Sequence, residues 1–542
     1  MICWTRLVAV TGRDEEKGIL RMAVNGVSRR HFFFGSLLAG AVPTGGFGST
    51  QSLRSMGYKS PNELLNIASV GSAGRPYEDM IGCSSENIVA IADVDDSVAV
   101  RAHERWDKAV HYRDFRKMLD KEDKNIDAVI VGCPDHMHGT AALWAMERGK
   151  HVYVEKPLTK TVAEARMLTE AAVKYKVATQ MGNQGYSNEG ARIASEIIWA
   201  GDIGNVTEVH AWTSRPIWPQ GLTEIPAPEP VPSTLDWDLW LGIAAPRPFT
   251  SGGAAYAKNF STTYGDVPQG FYLPFDWRGF FDFGTGPLGD MACHLQGAAH
   301  MALRLTAPTS VECIKREGTS PIQFPKKTVT RFQFPARGAM APVTLYWYDA
   351  ATGPMYRPAG IPESEPLIGG QGAFGRPMTP GGAGRGAAGA ARGPAAPGGA
   401  AAVGRGSAPG TPGGAPGGRG PGVPGREGVV FVGDKGFLTT DTYGGSVRLL
   451  PLARHEDYKL PPQSLSRSPG HHRDWLRACK GGEAACSNFS VSGPFAEWVV
   501  MGAIAARVEG KLEWDSAKLR FTNSPEANRY VHPEVRKGWS FT

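Results

Sequence analysis

The stretch from Asp127 to Thr159 constrains the fold of this chain more than any other part of the sequence. Residues 127–131 form a short apolar run of mainly β-branched side chains, which predicts a buried parallel strand. A turn leads into a helical pattern over 138–148, and a second apolar strand spans 151–154. Strand, helix and strand in this order predict a βαβ unit with a right-handed crossover, and hence a parallel sheet.

Polar residues stand at the ends of both strands of this unit. The first strand is followed by Pro134-Asp135-His136, and the second by Glu155-Lys156 and a proline. Ligands of parallel α/β sheets bind outside the carboxyl ends of the strands. The sequence therefore predicts that both polar segments line a binding site.

An apolar strand over 64–70 runs into a turn that begins at Gly71. A dinucleotide-binding turn has the pattern G-x-G-x-x-G, whose glycines make the turn, admit the pyrophosphate and pack the helix on the strand. Here Gly71 is kept, while Ala73 and Pro76 occupy the second and third positions. This departure bears on the affinity for the cofactor, because the methyl group of Ala73 lies near the phosphates, and it leaves the fold prediction intact.

The next apolar strand, over 88–93, ends on an acidic residue. Asp93 stands 22 residues after Gly71, close to the ~20 at which a dinucleotide fold places an acid for the ribose hydroxyl. A carboxylate there repels a 2′-phosphate, and no Arg or Lys follows at once. The pattern therefore favours NAD, with NADP as the alternative.

A second group of candidate residues lies in the glycine-rich run over 282–294. We expect a helix from about Leu288, on which Asp290 and His294 share a face because they are four residues apart. A carboxylate beside an imidazole orients the ring and selects its tautomer. On spacing alone, a helix-capping Asp and a core histidine are the more common interpretation of such a pair.

The segment 134–165 closely resembles the glucose–fructose oxidoreductase / inositol dehydrogenase family, and the resemblance covers roughly 62–350 and 428–542. It implies that Lys156 lies beside the nicotinamide and the substrate hydroxyl. It also implies that His294 is the general base and that Asp290 positions His294 or a substrate hydroxyl. The residues expected to contact the cofactor are Gly71, Ser72, Ala73, Gly74, Arg75, Asp93, Pro134, His138, Glu155, Lys156 and Asn183, with Gln184 as a weaker candidate.

The chain after residue 188 has more strand-like runs than helical ones. These runs span 206–214, 309–314, 327–334, 343–348, 429–432, 437–440 and 447–450. The whole pattern predicts an α/β Rossmann-type nucleotide-binding domain over 62–187, followed by an α+β domain over 188–542 with a large, mainly antiparallel sheet. The resemblance implies that the free face of this sheet mediates homo-oligomers.

Residues 369–426 consist almost wholly of Gly, Ala, Pro and Arg, without apolar periodicity. Such a segment buries too little surface to offset its chain entropy, so we expect a disordered insertion. Its six arginines account for the net charge of +6, which is thus not focused on a folded face for nucleic acid. The seven cysteines form no C-x-x-C pair, no Cys/His spacing is typical of a zinc site, and we expect no metal.

The first 60 residues are predicted to be an export signal and linker. Residues 28–33 place a twin arginine before the apolar run 34–42, a pattern typical of a Tat signal. The run is shorter than the ~20 residues that span a bilayer, so no stable membrane span is expected. We expect export by the Tat machinery to the periplasm, with the signal removed or kept as an anchor, and with Met1 or Met22 as the start.

Together these features predict an enzyme that transfers a hydride, with NAD or NADP, at a secondary hydroxyl or ketone of a sugar, polyol or glycoside. Two alternatives stay open. A redox-assisted glycoside hydrolase or lyase of the same fold would use transient oxidation to let the glycosidic bond eliminate. A non-catalytic nucleotide-binding protein would accommodate the altered glycine turn.

Overall fold

The computed structural model describes residues 63–254, 256, 270–369, 372–375 and 427–541. The predicted export signal and most of the predicted insertion lie outside these described residues. Within them, no helix combines the length and the apolar character needed to cross a bilayer.

The first sheet contains six parallel strands. They are β1 (Asn66–Val70), β2 (Asn87–Ala92), β3 (Val110–Tyr112), β4 (Ala128–Val131), β5 (His151–Glu155) and β6 (Thr179–Gly182). The helices between them are α1 (Arg75–Gly82), α2 (Asp96–Arg105), α3 (Phe115–Lys121), α4 (Asp135–Glu147) and α5 (Val162–Tyr175), with a short 3-10 turn at Asp123–Asn125. The strand order β3-β2-β1-β4-β5-β6 reverses between β1 and β4, at the crevice where doubly wound sheets bind dinucleotides. The predicted α/β Rossmann-type domain is confirmed.

Local sequence explains where these elements begin. Helix α4 begins at Asp135, three residues earlier than predicted, because Pro134 has a fixed φ of −59° and caps the helix without a lost N–H. Helix α5 begins with a capping box, in which Thr161 and Glu164 satisfy each other's backbone N–H groups. Strand β6 ends at Gly182, directly before Asn183.

The second sheet contains ten strands in the order β11-β14-β13-β12-β7-β10-β9-β8-β15-β16. They are β7 (Val206–Trp212), β8 (Ser310–Glu317), β9 (Lys327–Phe334), β10 (Val343–Tyr348), β11 (Phe374–Gly375), β12 (Gly428–Gly433), β13 (Gly436–Thr440), β14 (Ser446–Leu450), β15 (Lys511–Asp515) and β16 (Arg520–Phe521). Among these described strands β7 and β10 pair in parallel, and the other neighbours are antiparallel. The predicted large, mainly antiparallel sheet is confirmed.

The second part of the chain also carries helices. They are α6 (Glu189–Trp199), α7 (Trp237–Leu241), α8 (Cys293–Leu295), α9 (Gly297–Ala302), α10 (Leu452–Glu456), α11 (His471–Cys479), α12 (Phe489–Ala505) and α13 (Pro525–Asn528). Short 3-10 turns lie at Gln184–Ser187 and Asp276–Gly279, and a π-helical turn at Leu288–Ala292.

Helix α12 lies between the two sheets and is apolar on all sides, as expected for a buried helix. Its Trp498 packs with Leu168 of α5 and Phe332 of β9 in one continuous core. Helix α11 returns to the other face of the first sheet, where Trp475 packs against Tyr153 with ring centroids 5.6 Å apart. Residues near the C-terminus therefore help to cover the nucleotide-binding sheet.

Two features of the second sheet differ from the sequence-based expectations. The start of the predicted disordered segment is ordered where it is described, because Phe374 pairs with Val447 at the sheet edge. On the face opposite α12, Trp212 and Val430 are covered by side chains of the segment 351–368. The chain itself therefore covers part of the face that was expected to be free for contacts between copies.

Candidate active site

The predicted nucleotide-binding turn follows β1 and approaches the end of β4. Gly71 has a φ of +92°, and a Cβ at this position would lie 3.2 Å from the backbone N of Cys133. Gly74 has a φ of +64° and open space beside it, and Ala73 is exposed. The turn thus offers open backbone at the crevice between β1 and β4, despite its alanine.

Asp93, the predicted ribose ligand, is tied to this turn. Its Oδ2 accepts hydrogen bonds from the backbone N of Ser72 at 2.9 Å and from the Ser72 hydroxyl at 2.6 Å. Burial raises the pKa of Asp93, and the hydrogen bonds from Ser72 oppose that rise. Ser72 is 1% exposed and its hydrogen bonds position Asp93, while its predicted contact with the cofactor stays a prediction.

The Glu-Lys-Pro turn, residues 155–157, is fastened to the end of β4 by His138. The ring nitrogens of His138 lie 2.8 Å from the carbonyl oxygen of Pro157 and 2.7 Å from that of Cys133. The ring is 1% exposed. The polar atoms of His138 therefore join two strand ends, and its predicted contact with the cofactor stays a prediction. Pro134, at the N-terminus of α4, keeps its predicted place at the same edge.

Glu155 faces a buried network. Its Oε1 accepts a hydrogen bond from Gln184 Nε2 at 2.9 Å and lies 3.6 Å from Arg75 Nη2. Burial and the neighbouring Asp79 raise the pKa of Glu155 to about 7. Gly182 makes room for this carboxyl, since a Cβ there would lie 2.4 Å from Glu155 Oε1. Glu155 and Arg75 thus stabilise each other beside the carboxyl ends of the strands, where the cofactor is expected to bind.

Asn183 follows β6 and is fully buried. Its Oδ1 accepts a hydrogen bond from the Ser487 hydroxyl at 2.7 Å. Its Nδ2 has no hydrogen-bond partner among the described residues. A buried amide donor without a partner is costly, so this nitrogen suits a ligand carbonyl at the same sheet edge.

The predicted helix with Asp290 and His294 begins as the π-helical turn at 288–292. Its hydrogen bonds reach from residue i to i+5, so the predicted regular helix is wrong in this detail. Gly289 lets the turn approach the first domain closely, since a Cβ there would lie 1.8 Å from Thr285 Oγ1 and 3.0 Å from Pro157 Cγ. The π-helical turn is thereby pressed against the Glu-Lys-Pro turn.

This approach brings Lys156 and Asp290 together. Lys156 Nζ donates a hydrogen bond to Asp290 Oδ1 at 2.7 Å, and the two side chains are 8% and 6% exposed. Arg215 Nε lies 3.6 Å from Asp290 Oδ2, and Arg278 Nε lies 3.8 Å from Oδ1. Burial alone raises the pKa of Asp290, but the three cations outweigh it and hold this pKa far below its ordinary value. The three cations therefore favour the ionised form of Asp290.

His294 is 4% exposed and lies one helical turn beyond Asp290. Its ring packs edge-on against the ring of Tyr443, with centroids 4.9 Å apart. Tyr443 comes from the connection between β13 and β14, so the second sheet supplies one wall beside the predicted base.

Arg215 and Arg278 were not among the predicted site residues, and the pairing of Asp290 with Lys156 was not predicted either. Arg215 begins a Trp- and Pro-rich part of the sequence, whereas Arg278 lies beyond it. Neither position carries a sequence signal that places it beside Asp290. The Thr285 hydroxyl also donates a hydrogen bond to Asp135 Oδ2 at 2.6 Å, which joins the start of α4 to the segment just before the π-helical turn.

These residues fit NAD at the carboxyl edge of the first sheet. Gly71 and Gly74 leave a backbone cradle that a Cβ would disturb, and Asp93 stands at the end of the neighbouring strand. The partnerless amide of Asn183 lies near the Glu-Lys-Pro end of the edge, because β5 and β6 are neighbours.

Comparison with known proteins agrees with this assignment. Residues 65–183 match a family described as an oxidoreductase family with the NAD-binding Rossmann fold. The chain is 30% identical over 170 residues to scyllo-inositol 2-dehydrogenase (NAD(+)) of Bacillus subtilis (strain 168), over 29% of this chain and 47% of that protein. It is 31% identical over 140 residues to glycosyl hydrolase family 109 protein 1 of Shewanella sp. (strain ANA-3), over 23% of this chain and 30% of that protein.

The aligned segments thus span less than half the length of these relatives. Among solved structures, the chain is similar to an inositol dehydrogenase homolog from Azotobacter vinelandii, complexed with NADH and myo-inositol. The TM-score is 0.45 at 16% identity, over 83% of this chain and 98% of that chain.

Proposed function

We propose, from the membership of residues 65–183 in an oxidoreductase family with the NAD-binding Rossmann fold, that the whole chain is an NAD-dependent oxidoreductase. Its substrate is a sugar, polyol or glycoside, and the reacting group is a secondary hydroxyl or the corresponding ketone. The observation that carries the proposal is the 2.7 Å hydrogen bond between Lys156 Nζ and Asp290 Oδ1. This bond joins the end of a nucleotide-domain strand to the helical turn that leads to His294.

In this proposal each side chain has its own task. His294 takes the proton of the substrate hydroxyl, a general-base step that contributes ~10²–10⁴-fold to the rate. Lys156 donates a hydrogen bond to the same oxygen and stabilises the negative charge that develops there. Asp290 is a positioning residue that holds the ammonium group of Lys156 in place.

The cofactor edge consists of Gly71, Ala73, Gly74, Asp93 and Asn183. When bound, NAD supplies a nicotinamide ring that accepts or returns the hydride. Asp93 favours NAD because its carboxylate would repel a 2′-phosphate.

The test uses purified protein and measures released cofactor and NADH formation. Mass spectrometry of cofactor released on denaturation identifies NAD or NADP. A panel of sugars, glycosides and polyols is then screened for NADH absorbance, and it includes scyllo-inositol because a relative is named for it. NADH formed by wild type and lost in His294→Ala supports the proposal. Equal NADH formation by both proteins contradicts it.

Aryl glycosides in the same panel test the glycoside-cleaving alternative. Release of the phenol without net NADH, and dependent on bound NAD, would replace the dehydrogenase proposal by the redox-assisted cleavage of glycosides. Binding of NAD with neither outcome would leave the non-catalytic alternative.

We also propose export by Tat and self-association, both from the sequence. In cells that carry Arg29→Lys/Arg30→Lys, periplasmic protein should be lost, and unchanged export would contradict the Tat signal. Light scattering of the purified protein measures its mass, and a monomer at all concentrations would contradict self-association. Nucleic acid and a stable membrane span have no part in the proposal.

A further inference from the structure

Arg215 is held rigidly at the active site. It follows β7 by three residues, its backbone N donates to Thr213 Oγ1 at 3.2 Å, and its carbonyl accepts from Ala350 N at 2.6 Å. Its side chain is 8% exposed and points to Asp290, with Nε 3.6 Å from Oδ2. Its Nη1 is buried and has no hydrogen-bond partner among the described residues. A buried guanidinium donor without an acceptor is costly, so Nη1 suits an acceptor atom of a ligand bound at the site.

The charge around Asp290 is unbalanced. Lys156 alone forms a hydrogen bond of ordinary length with this carboxylate, whereas Arg215 and Arg278 stand at 3.6 Å and 3.8 Å. The nearby carboxyl of Asp135 is a weaker countercharge, because burial raises its pKa. Lys156 and Arg215, both buried, and the partly buried Arg278 therefore surround the carboxylate of Asp290, and this concentration of positive charge favours an anionic ligand over a neutral polyol.

Arg278 is also fixed before any ligand arrives. Its guanidinium lies 4.0 Å from the ring centroid of Phe275 and 4.3 Å from that of Trp277. Stacking on aromatic rings holds the planar fork and lowers the loss of side-chain entropy on binding. Planar guanidinium groups bind carboxylates and phosphates through paired hydrogen bonds.

We infer that Arg215 and Arg278 bind an anionic group of the substrate, so that the substrate class is an acidic sugar, either a sugar carboxylate or a sugar phosphate. This inference rests on the proposed function and names its substrate class. The anionic group accepts a hydrogen bond from Nη1 of Arg215, which has no other partner among the described residues. Lys156 and His294 act on a hydroxyl of the same sugar ring.

The experiment uses the NAD-loaded protein and matched sets of sugars. Each set contains a neutral hexose, its uronate and its 6-phosphate, for glucose, galactose and N-acetylglucosamine. Calorimetry measures affinity, and NADH absorbance measures turnover in parallel. We expect the uronate or the phosphate of at least one set to bind ~10–100-fold more tightly than the neutral sugar, the range for a hydrogen bond to a charged group. Which of the two binds identifies the source of the anion.

The variants test whether Arg215 is responsible. Arg215→Met should remove that ~10–100-fold preference for the acidic sugar over its neutral partner. Arg215→Lys keeps the charge but loses the planar fork, and it should retain part of the preference. Arg448→Met is the matched control, since Arg448 is 2% exposed, lies 3.8 Å from Glu365 and donates from Nη1 to the carbonyl oxygen of Gly369. It should keep the full preference.

Several results would overturn the inference. They are the absence of binding by every uronate and phosphate, equal affinity for neutral and acidic sugars, and an undiminished preference in both Arg215 variants. Failure of the proposed function gives a different result: an acidic sugar binds through Arg215, but no NADH appears. NADH formed equally well from neutral sugars keeps the proposed function and rejects the anion site.

Discussion

Replacing Asp290 by Asn tests the electrostatic core of the site. At an effective dielectric constant of about 20, charges separated by the 2.7 Å between Lys156 Nζ and Asp290 Oδ1 attract by about 6 kcal/mol. The contacts of 3.6 Å and 3.8 Å to Arg215 and Arg278 add about 4–5 kcal/mol each. Desolvation of the four groups offsets much of this gain. Removing one partner of a buried pair therefore costs about 3–5 kcal/mol of unfolding free energy, since the remaining cations stay buried without their countercharge.

The assay is urea unfolding of wild type and Asp290→Asn at about pH 6 and about pH 3. The folded-state pKa of Asp290 lies below its unfolded value of about 3.9, so its contribution is complete above that pH and falls as the pH drops below it. The difference between the proteins should thus be about 3–5 kcal/mol at the higher pH and smaller at the lower pH.

Asp282→Asn is the matched control. Asp282 lies shortly before the π-helical turn that carries Asp290 and pairs with Arg247, but it is 52% exposed. An exposed pair of this kind contributes at most about 1 kcal/mol. If Asp290→Asn costs no more than this control, or if its cost does not change with pH, the three cations do not depend on Asp290 in the way argued above.

Four further predictions follow from the same geometry. His294→Ala should lower turnover ~10²–10⁴-fold with NAD affinity unchanged, measured by NADH formation and calorimetry, and normal turnover would show that the histidine is structural. Asp93→Ala should weaken NAD and reduce discrimination against NADP in binding titrations, whereas unchanged selectivity would reject its role at the ribose. Gly289→Ala should cost about 1–3 kcal/mol in urea unfolding, because its methyl group overlaps Thr285, and an unchanged midpoint would contradict the close approach. Deletion of residues 376–426 should leave melting cooperative, because loop closure changes by only ~0.6 kcal/mol per doubling of length; loss of cooperativity would make the segment structural.

The elements that could be predicted are those whose signals are local. The strands at 327–334 and 343–348 have the predicted bounds, since alternation of buried and half-buried side chains marks each of them. The start of α4 was misplaced because Pro134 ends the turn sooner than the apolar pattern indicates.

The sequence by itself determined the nucleotide-binding half of the site. Gly71, the acid at the end of the second strand and the Glu-Lys-Pro turn each follow a strand directly, and parallel strands bring their carboxyl ends to one edge. Only the tertiary structure decided which charges meet there. Lys156 and Asp290 are 134 residues apart, and they touch because Gly289 lets a π-helical turn pack against Pro157. Arg215 follows a strand of the second sheet, and its Nε lies 3.6 Å from Asp290 Oδ2. No local sequence pattern encodes the distance between these two side chains, because packing between the layers of the fold sets it.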